Sequence, residues 1–139
     1  MSQSSPRVIS TDKAPTTGFS PGTKAPISMA IAHNGLLFVS GQGPLDPATH
    51  TIVSDDFAEQ TRSTLANLLR VVEAAGGTKD DIVRCNVYLR DMTNFPTFNA
   101  IYREFFETSR QFPARTCVRA DPPRDGVLVE IDCIAAVAS

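Results

Sequence analysis

Apolar and polar positions recur along this chain with enough regularity to divide it into elements. Phe57, Thr61, Leu65, Leu68, Leu69 and Val72 follow a helical period. Asp55 and Asp56 sit where the positive end of that helix favours carboxylates, Asp56 with Glu59 has the spacing of a capping box, and Gly76-Gly77 stop the run. Phe98, Ile101, Tyr102, Phe105 and Phe106 recur at i, i+3, i+4, i+7 and i+8, which predicts a second amphipathic helix opened by Asn94 and Pro96. Its aromatic stripe is read as core. Ile82 to Arg90 alternates instead, with Val83, Cys85, Val87 and Leu89 on the core face of a strand and Arg84, Asn86, Tyr88 and Arg90 on the other. Ser28 to Ser40 reads as strand, turn, strand around Asn34-Gly35. Arg7 to Thr11 forms a short first strand, Lys13 to Pro26 an irregular loop rich in Pro, Gly and Thr, and Leu45 to Val53 a polar loop or small extra hairpin.

Two last strand-like runs flank Asp121-Pro-Pro-Arg-Asp-Gly126, whose prolines and glycine favour a turn, so a β-hairpin is predicted. With its arms closing directly on that loop, Cys117 faces Glu130 and Arg115 faces Asp132. All four then project from one side, since opposed strand residues share a face. Thr116, Val118, Val129, Ile131 and Cys133 make the other, core side. The element order is β, ββ, α, β, α, ββ, an α/β (α+β) arrangement with two helices on one face of a mixed sheet. A guanidinium and a carboxylate held close together on a rigid sheet can bind a small carboxylate and orient a water; the same pair also serves as an ordinary solvated salt bridge. Glu130 lies within the nearly continuous apolar run Val127 to Val137. Long carboxylates are rarely buried unless paired, so the charged face is expected to be covered by self-association.

The chain has 139 residues, enough for one domain with a real core, and 42% hydrophobic with 20% charged content excludes a disordered polymer. A net charge of −2 lacks the electrostatic footprint of a general nucleic-acid binder. Cys85, Cys117 and Cys133 are odd in number and widely spaced, and His33 and His50 are isolated, which argues against structural zinc and against a disulfide framework. Met1 to Ser10 has no apolar signal core and no run approaches the length of a membrane span, so a reducing cytoplasm is expected. The two glycines of Ser40-Gly-Gln-Gly-Pro44 allow either a bulge and turn or close approach of a ligand.

Phe112-Pro-Ala-Arg-Thr-Cys-Val118, followed by Val129-Glu-Ile131 with Glu130 fifteen residues after Arg115, resembles the signature of the Rid proteins, also called the YjgF or reactive-intermediate/imine deaminase family. Val39-Ser-Gly-Gln42, Gln60-Thr61, Asn67 with Val72-Glu-Ala-Ala-Gly76, Asp81-Ile-Val83 and Phe98-Asn-Ala-Ile-Tyr-Arg-Glu-Phe-Phe106 look like its other blocks. The resemblance implies a single Rid/YjgF-like domain over residues 1–139 with a chorismate-mutase-like fold. It also implies a homotrimer with a central β-barrel and clefts between neighbouring subunits. The implied activity is hydrolysis of enamines and imines such as 2-aminoacrylate and 2-iminopropanoate to a 2-oxo acid and ammonia, with no metal or organic cofactor.

Carried over by the same resemblance, Arg115 binds the substrate carboxylate through a bidentate ion pair, and Glu130 holds and polarises the attacking water. Cys117 lines the cleft without acting as a nucleophile, and Ser40 and Asn99 are polar pocket positions. One departure bears on the substrate. Thirteen residues before Ser40 the family carries the tyrosine of a Gly-Pro-Tyr triplet, and this chain has Ala25-Pro26-Ile27. Ile27 supplies no hydroxyl and points to a more apolar or longer imino acid. The loop from Thr16 to Lys24 also reads as a few residues longer than the compact form. Competing readings are a pathway-specific deaminase, for example of 2-aminomuconate, and a non-catalytic metabolite-binding trimer. Endoribonuclease action is disfavoured by the acidic balance and the absence of a Lys/Arg stripe.

Overall fold

In the computed structural model, which describes residues 5–16 and 25–138, Asn34 and Gly35 take φ of 51° and 82°. Two successive positive φ angles are what a tight hairpin turn of the favoured hand requires. The turn joins β2 (Ala30–His33) to β3 (Leu36–Gln42), and β1 (Arg7–Ile9) pairs antiparallel with the far edge of β2. Beyond β3, Leu45 bridges Ile52, so the Leu45 to Val53 segment closes as the small hairpin. The long loop expected from Lys13 to Pro26 falls mostly on residues 17–24, outside the described residues, as does the expected lengthening between Thr16 and Lys24.

Helix α1 (Phe57–Ala74) starts where Asp56 accepts a hydrogen bond from the Glu59 amide, and helix α2 (Phe95–Phe106) starts on Pro96 in its first turn. With β4 (Ile82–Leu89), β5 (Ala114–Arg119) and β6 (Val129–Ala136), the element order agrees with the hydrophobic pattern. Among the described residues six strands form one sheet in the order β1-β2-β3-β6-β4-β5. Leu65, Leu68, Val71 and Val72 of α1 and Phe98, Ile101, Tyr102 and Phe106 of α2 bury against Leu37, Val39, Val87, Leu89, Ile131 and Cys133 of the sheet. Truncating a fully buried phenylalanine such as Phe98 in a core of this kind costs about 3–5 kcal/mol.

The terminal hairpin does not form. β4 lies between β5 and β6, parallel to β5 and antiparallel to β6. Helix α2 carries the chain back over the sheet, so β5 returns parallel to β4 on its outer edge, as a β-α-β crossover must. The apolar β6 then takes the interior position between β3 and β4. The Asp121–Gly126 turn is present, but its connection spans β4 instead of closing on itself, with Ala120 donating to the Leu89 carbonyl and Arg90 to the Leu128 carbonyl. Buried Gln60 secures this crossing: its amide donates to the carbonyls of Ser54 and Gly126 and accepts from the Leu128 amide.

The changed pairing redistributes the side chains. Cys85 is opposite both Arg115 and Cys133, and Val87 is opposite Cys117 and Ile131, so these share the helix face. Asn86 is opposite Thr116 and Asp132, and Tyr88 is opposite Val118 and Glu130, which places them on the open face. Arg115 and Cys117 therefore stand on the opposite side of the sheet from Glu130 and Asp132, and Thr116 and Val118 are exposed rather than core. Val83 is also corrected. A register shift between Ile82 and Arg84 buries Ile82 to 1% exposure and leaves Val83 at 42%.

Candidate functional site

On the helix face, α2 and the edge strand β5 build one half of a site. The α2 stripe points its aromatic rings at β5, and the Arg115 guanidinium lies 4.9 Å from the Tyr102 ring centroid and 5.7 Å from those of Phe95 and Phe98. Cation–π contact at this range holds a half-buried guanidinium without neutralising it. Among the described residues the ion pairs are Arg90 with Asp121 and Arg110 with Asp80, so Arg115 has no carboxylate partner there. Asn99, Tyr102 and Arg103 from α2, Phe112 and Pro113 from the approach to β5, and Arg115 line a cavity of about 280 Å³. Asn99 and Arg115 thus line one cavity.

Cys117 follows on the same face, half-buried. Burial pushes its thiol pKa up and the Arg115 charge draws it partly back, so the thiol stays protonated near neutrality. Deeper in the core, burial pushes Cys85 up to about 11 and raises Cys133 further still. These two behave as small buried hydrophobes.

The open face carries the other half. Glu130 is half-buried beside Gly41, where an added Cβ would come within 2.7 Å of Glu130 Oε2 and 2.9 Å of its Cδ. The second residue of the Ser-Gly-Gln block must therefore be glycine for the carboxylate to occupy this place, and β3 is irregular there, between Val39 and Gln42. Burial first and the neighbouring Asp132 charge second raise the Glu130 pKa above the ordinary carboxylate range. Asp132 is itself held, accepting from Asn86 Nδ2 at 2.8 Å and from the Tyr88 hydroxyl at 2.9 Å. Ser40 Oγ donates to the Ser28 carbonyl at 2.6 Å, tying the segment that carries Ile27 to β3. Ile27 itself is 45% exposed.

Helix α2 and β5 thus bring Asn99 and Arg115 to one cavity, with Cys117 two residues along β5 on the same face but outside the cavity lining, and Glu130 stands beside the Ser40-Gly41 end of β3 on the other face. The sheet does not bring Arg115 and Glu130 together within one chain. A cation in a cavity without a carboxylate in its wall can hold a small carboxylate, and a carboxylate of raised pKa can hold a water and accept its proton. Sequence reasoning overlooked Arg103, Phe112 and Pro113 as cavity walls, and Asn86 and Tyr88 as partners of Asp132. The i, i+4 spacing of Asn99 and Arg103 was the available signal for the first.

A model of the Endoribonuclease L-PSP family matches residues 17–137. A RutC family protein of Pyrococcus horikoshii is 42% identical over 110 residues, 79% of this chain and 86% of that protein. A protein of Salmonella typhimurium named 2-iminobutanoate/2-iminopropanoate deaminase is 39% identical over 125 residues, 88% of this chain and 96% of its own. Among solved structures, a protein of unknown function of the Rid family from Yersinia pestis superposes with a TM-score of 0.85 at 38% identity, covering 96% of this chain and 100% of that one.

Proposed function

The chain belongs to the endoribonuclease L-PSP family, also called Rid or YjgF, and from that premise we propose that it is a hydrolytic deaminase of 2-imino acids and their enamine tautomers. The observation that carries this reading is Arg115, a guanidinium without a carboxylate partner among the described residues, stacked on aromatic rings at a cavity wall. The substrate carboxylate docks there in a bidentate pair. Glu130 holds a water and takes its proton as the oxygen adds to the imine carbon. Glu130 passes that proton to the nitrogen, giving a carbinolamine, whose hydroxyl gives up its own proton to the nitrogen as the carbon–nitrogen bond breaks, so that ammonia leaves and a 2-oxo acid remains. The imine carbon is already electrophilic, so contact between water and substrate supplies most of the acceleration.

Arg115 and Glu130 face opposite sides of the sheet, so the proposed site is completed by a second copy of the chain, in a homotrimer with clefts between subunits and the open faces lining a central barrel. The open face favours such an arrangement. Val8, Ile31, Phe38 and Ile134 stand in register across β1, β2, β3 and β6, with Val8 60% and Phe38 44% exposed. An apolar row of this width is the kind of surface that self-association covers.

The test generates imino acids from alanine, leucine and methionine with an amino-acid oxidase and traps them with semicarbazide. Wild-type protein is expected to suppress the trapped product, and Arg115→Ala to lose roughly 10²-fold or more in kcat/KM. Wild-type-like rates in that variant would overturn the mechanism.

A further inference from the structure

A second cation lines the cavity that holds Arg115. Asn99, Tyr102 and Arg103 lie on one face of α2, one turn apart. The Arg103 guanidinium sits 5.7 Å from the ring centroid of Phe112, which is itself 49% exposed at the cavity wall. Arg103, like Arg115, makes no ion pair with a carboxylate among the described residues, whereas Arg90 and Arg110 each have an aspartate. The cavity wall therefore presents two guanidinium groups, one neutral amide and no carboxylate. Each guanidinium lies against an aromatic ring, Arg103 exposed and Arg115 half-buried, and among the described residues neither donates a hydrogen bond, so both forks can take a planar anion. Two like charges in one small cavity repel each other, and an occupant with two negative charges relieves that repulsion.

We infer that Arg103 is a second anion-binding group of this cavity and that the preferred substrate is a 2-imino dicarboxylic acid, the product of oxidising an acidic amino acid. The inference rests on the deaminase reading and names its substrate class. Arg115 takes the carboxylate next to the imine carbon, and Arg103 takes the side-chain carboxylate. The reaction is otherwise unchanged: water adds, ammonia leaves, and the product is a 2-oxo dicarboxylate, with no change of oxidation state.

The experiment compares imino acids made by flavin oxidases from D-aspartate and D-glutamate with those from D-alanine and D-leucine, using wild type, Arg103→Gln and Arg103→Glu. Wild type is expected to show the higher kcat/KM on the dicarboxylic imines. The ratio of dicarboxylic to alanine-derived kcat/KM should fall about tenfold in Arg103→Gln, mostly through KM, and further in Arg103→Glu. Hydrolysis of the alanine-derived imine with no dicarboxylic preference, or a ratio unmoved by either variant, overturns the inference and leaves the deaminase reading standing. Should no imine be hydrolysed, that reading falls and the substrate assignment with it, and calorimetry with 2-oxoglutarate then tests the anion-binding role of Arg103 alone. Binding weakened about tenfold by Arg103→Gln supports it, and no binding to wild type overturns it.

Discussion

Glu130 carries a carboxylate into surroundings that disfavour its charge, through burial first and Asp132 second. As the proposed base it must be ionised, so the acid limb of the rate profile should lie above that of an ordinary carboxylate. Asp132→Asn removes the like charge and lowers the Glu130 pKa, so the limb in kcat/KM against pH is expected to move to lower pH; an unmoved limb would separate Asp132 from the chemistry. The same shift has a stability sign. A folded-state pKa raised above the unfolded value means that Glu130 stabilises the fold when protonated, and that this contribution is lost as pH rises through the folded pKa. Gly41 acts on the same group by shape. Gly41→Ala should displace the carboxylate and lower kcat/KM by roughly 10²-fold with thermal unfolding little changed, because the crowded atoms are the end of one side chain rather than backbone. At this scale the sequence singled out Arg115, Glu130 and Asn99 as the candidates for chemistry. It did not disclose Arg103, because the i, i+4 spacing to Asn99 puts the two on one helix face without saying whether that face meets water or a cavity.

At the scale of elements, the two helices and the strand pattern were legible because each is encoded by local period and by caps. The departures fall where alternation is interrupted. The register shift exchanges Val83 for Ile82, and the irregularity in β3 lies at Ser40-Gly41. Gln60 joins elements that local pattern cannot relate, since one buried side chain fixes the start of α1, the 121–128 connection and the entry to β6 through three hydrogen bonds. Gln60→Ala leaves those backbone groups unsatisfied and is expected to cost roughly 2–4 kcal/mol in urea unfolding. It should also loosen Glu130, which lies two residues beyond Leu128. A loss near zero would mean that the crossing is held by strand pairing alone.

For the whole molecule, the separation of Arg115 from Glu130 leads to a test that one chain cannot pass by itself. If each cleft takes Arg115 from one copy and Glu130 from the next, Arg115→Ala and Glu130→Gln are each inactive alone. Co-refolding equal amounts should restore activity in about a quarter of the clefts of a random mixture. No recovery in mixed oligomers would show that the clefts are not shared. By itself the sequence determined the element order and the buried stripes of the two helices, because those depend on neighbours a few positions away. Only the tertiary structure decided that β4 inserts between β5 and β6. Strand neighbours are chosen by crossover geometry and by burial of the most apolar strand, and neither is written in a turn sequence. With side chains alternating every residue, that one insertion moved Arg115 and Glu130 from a shared face to opposite faces.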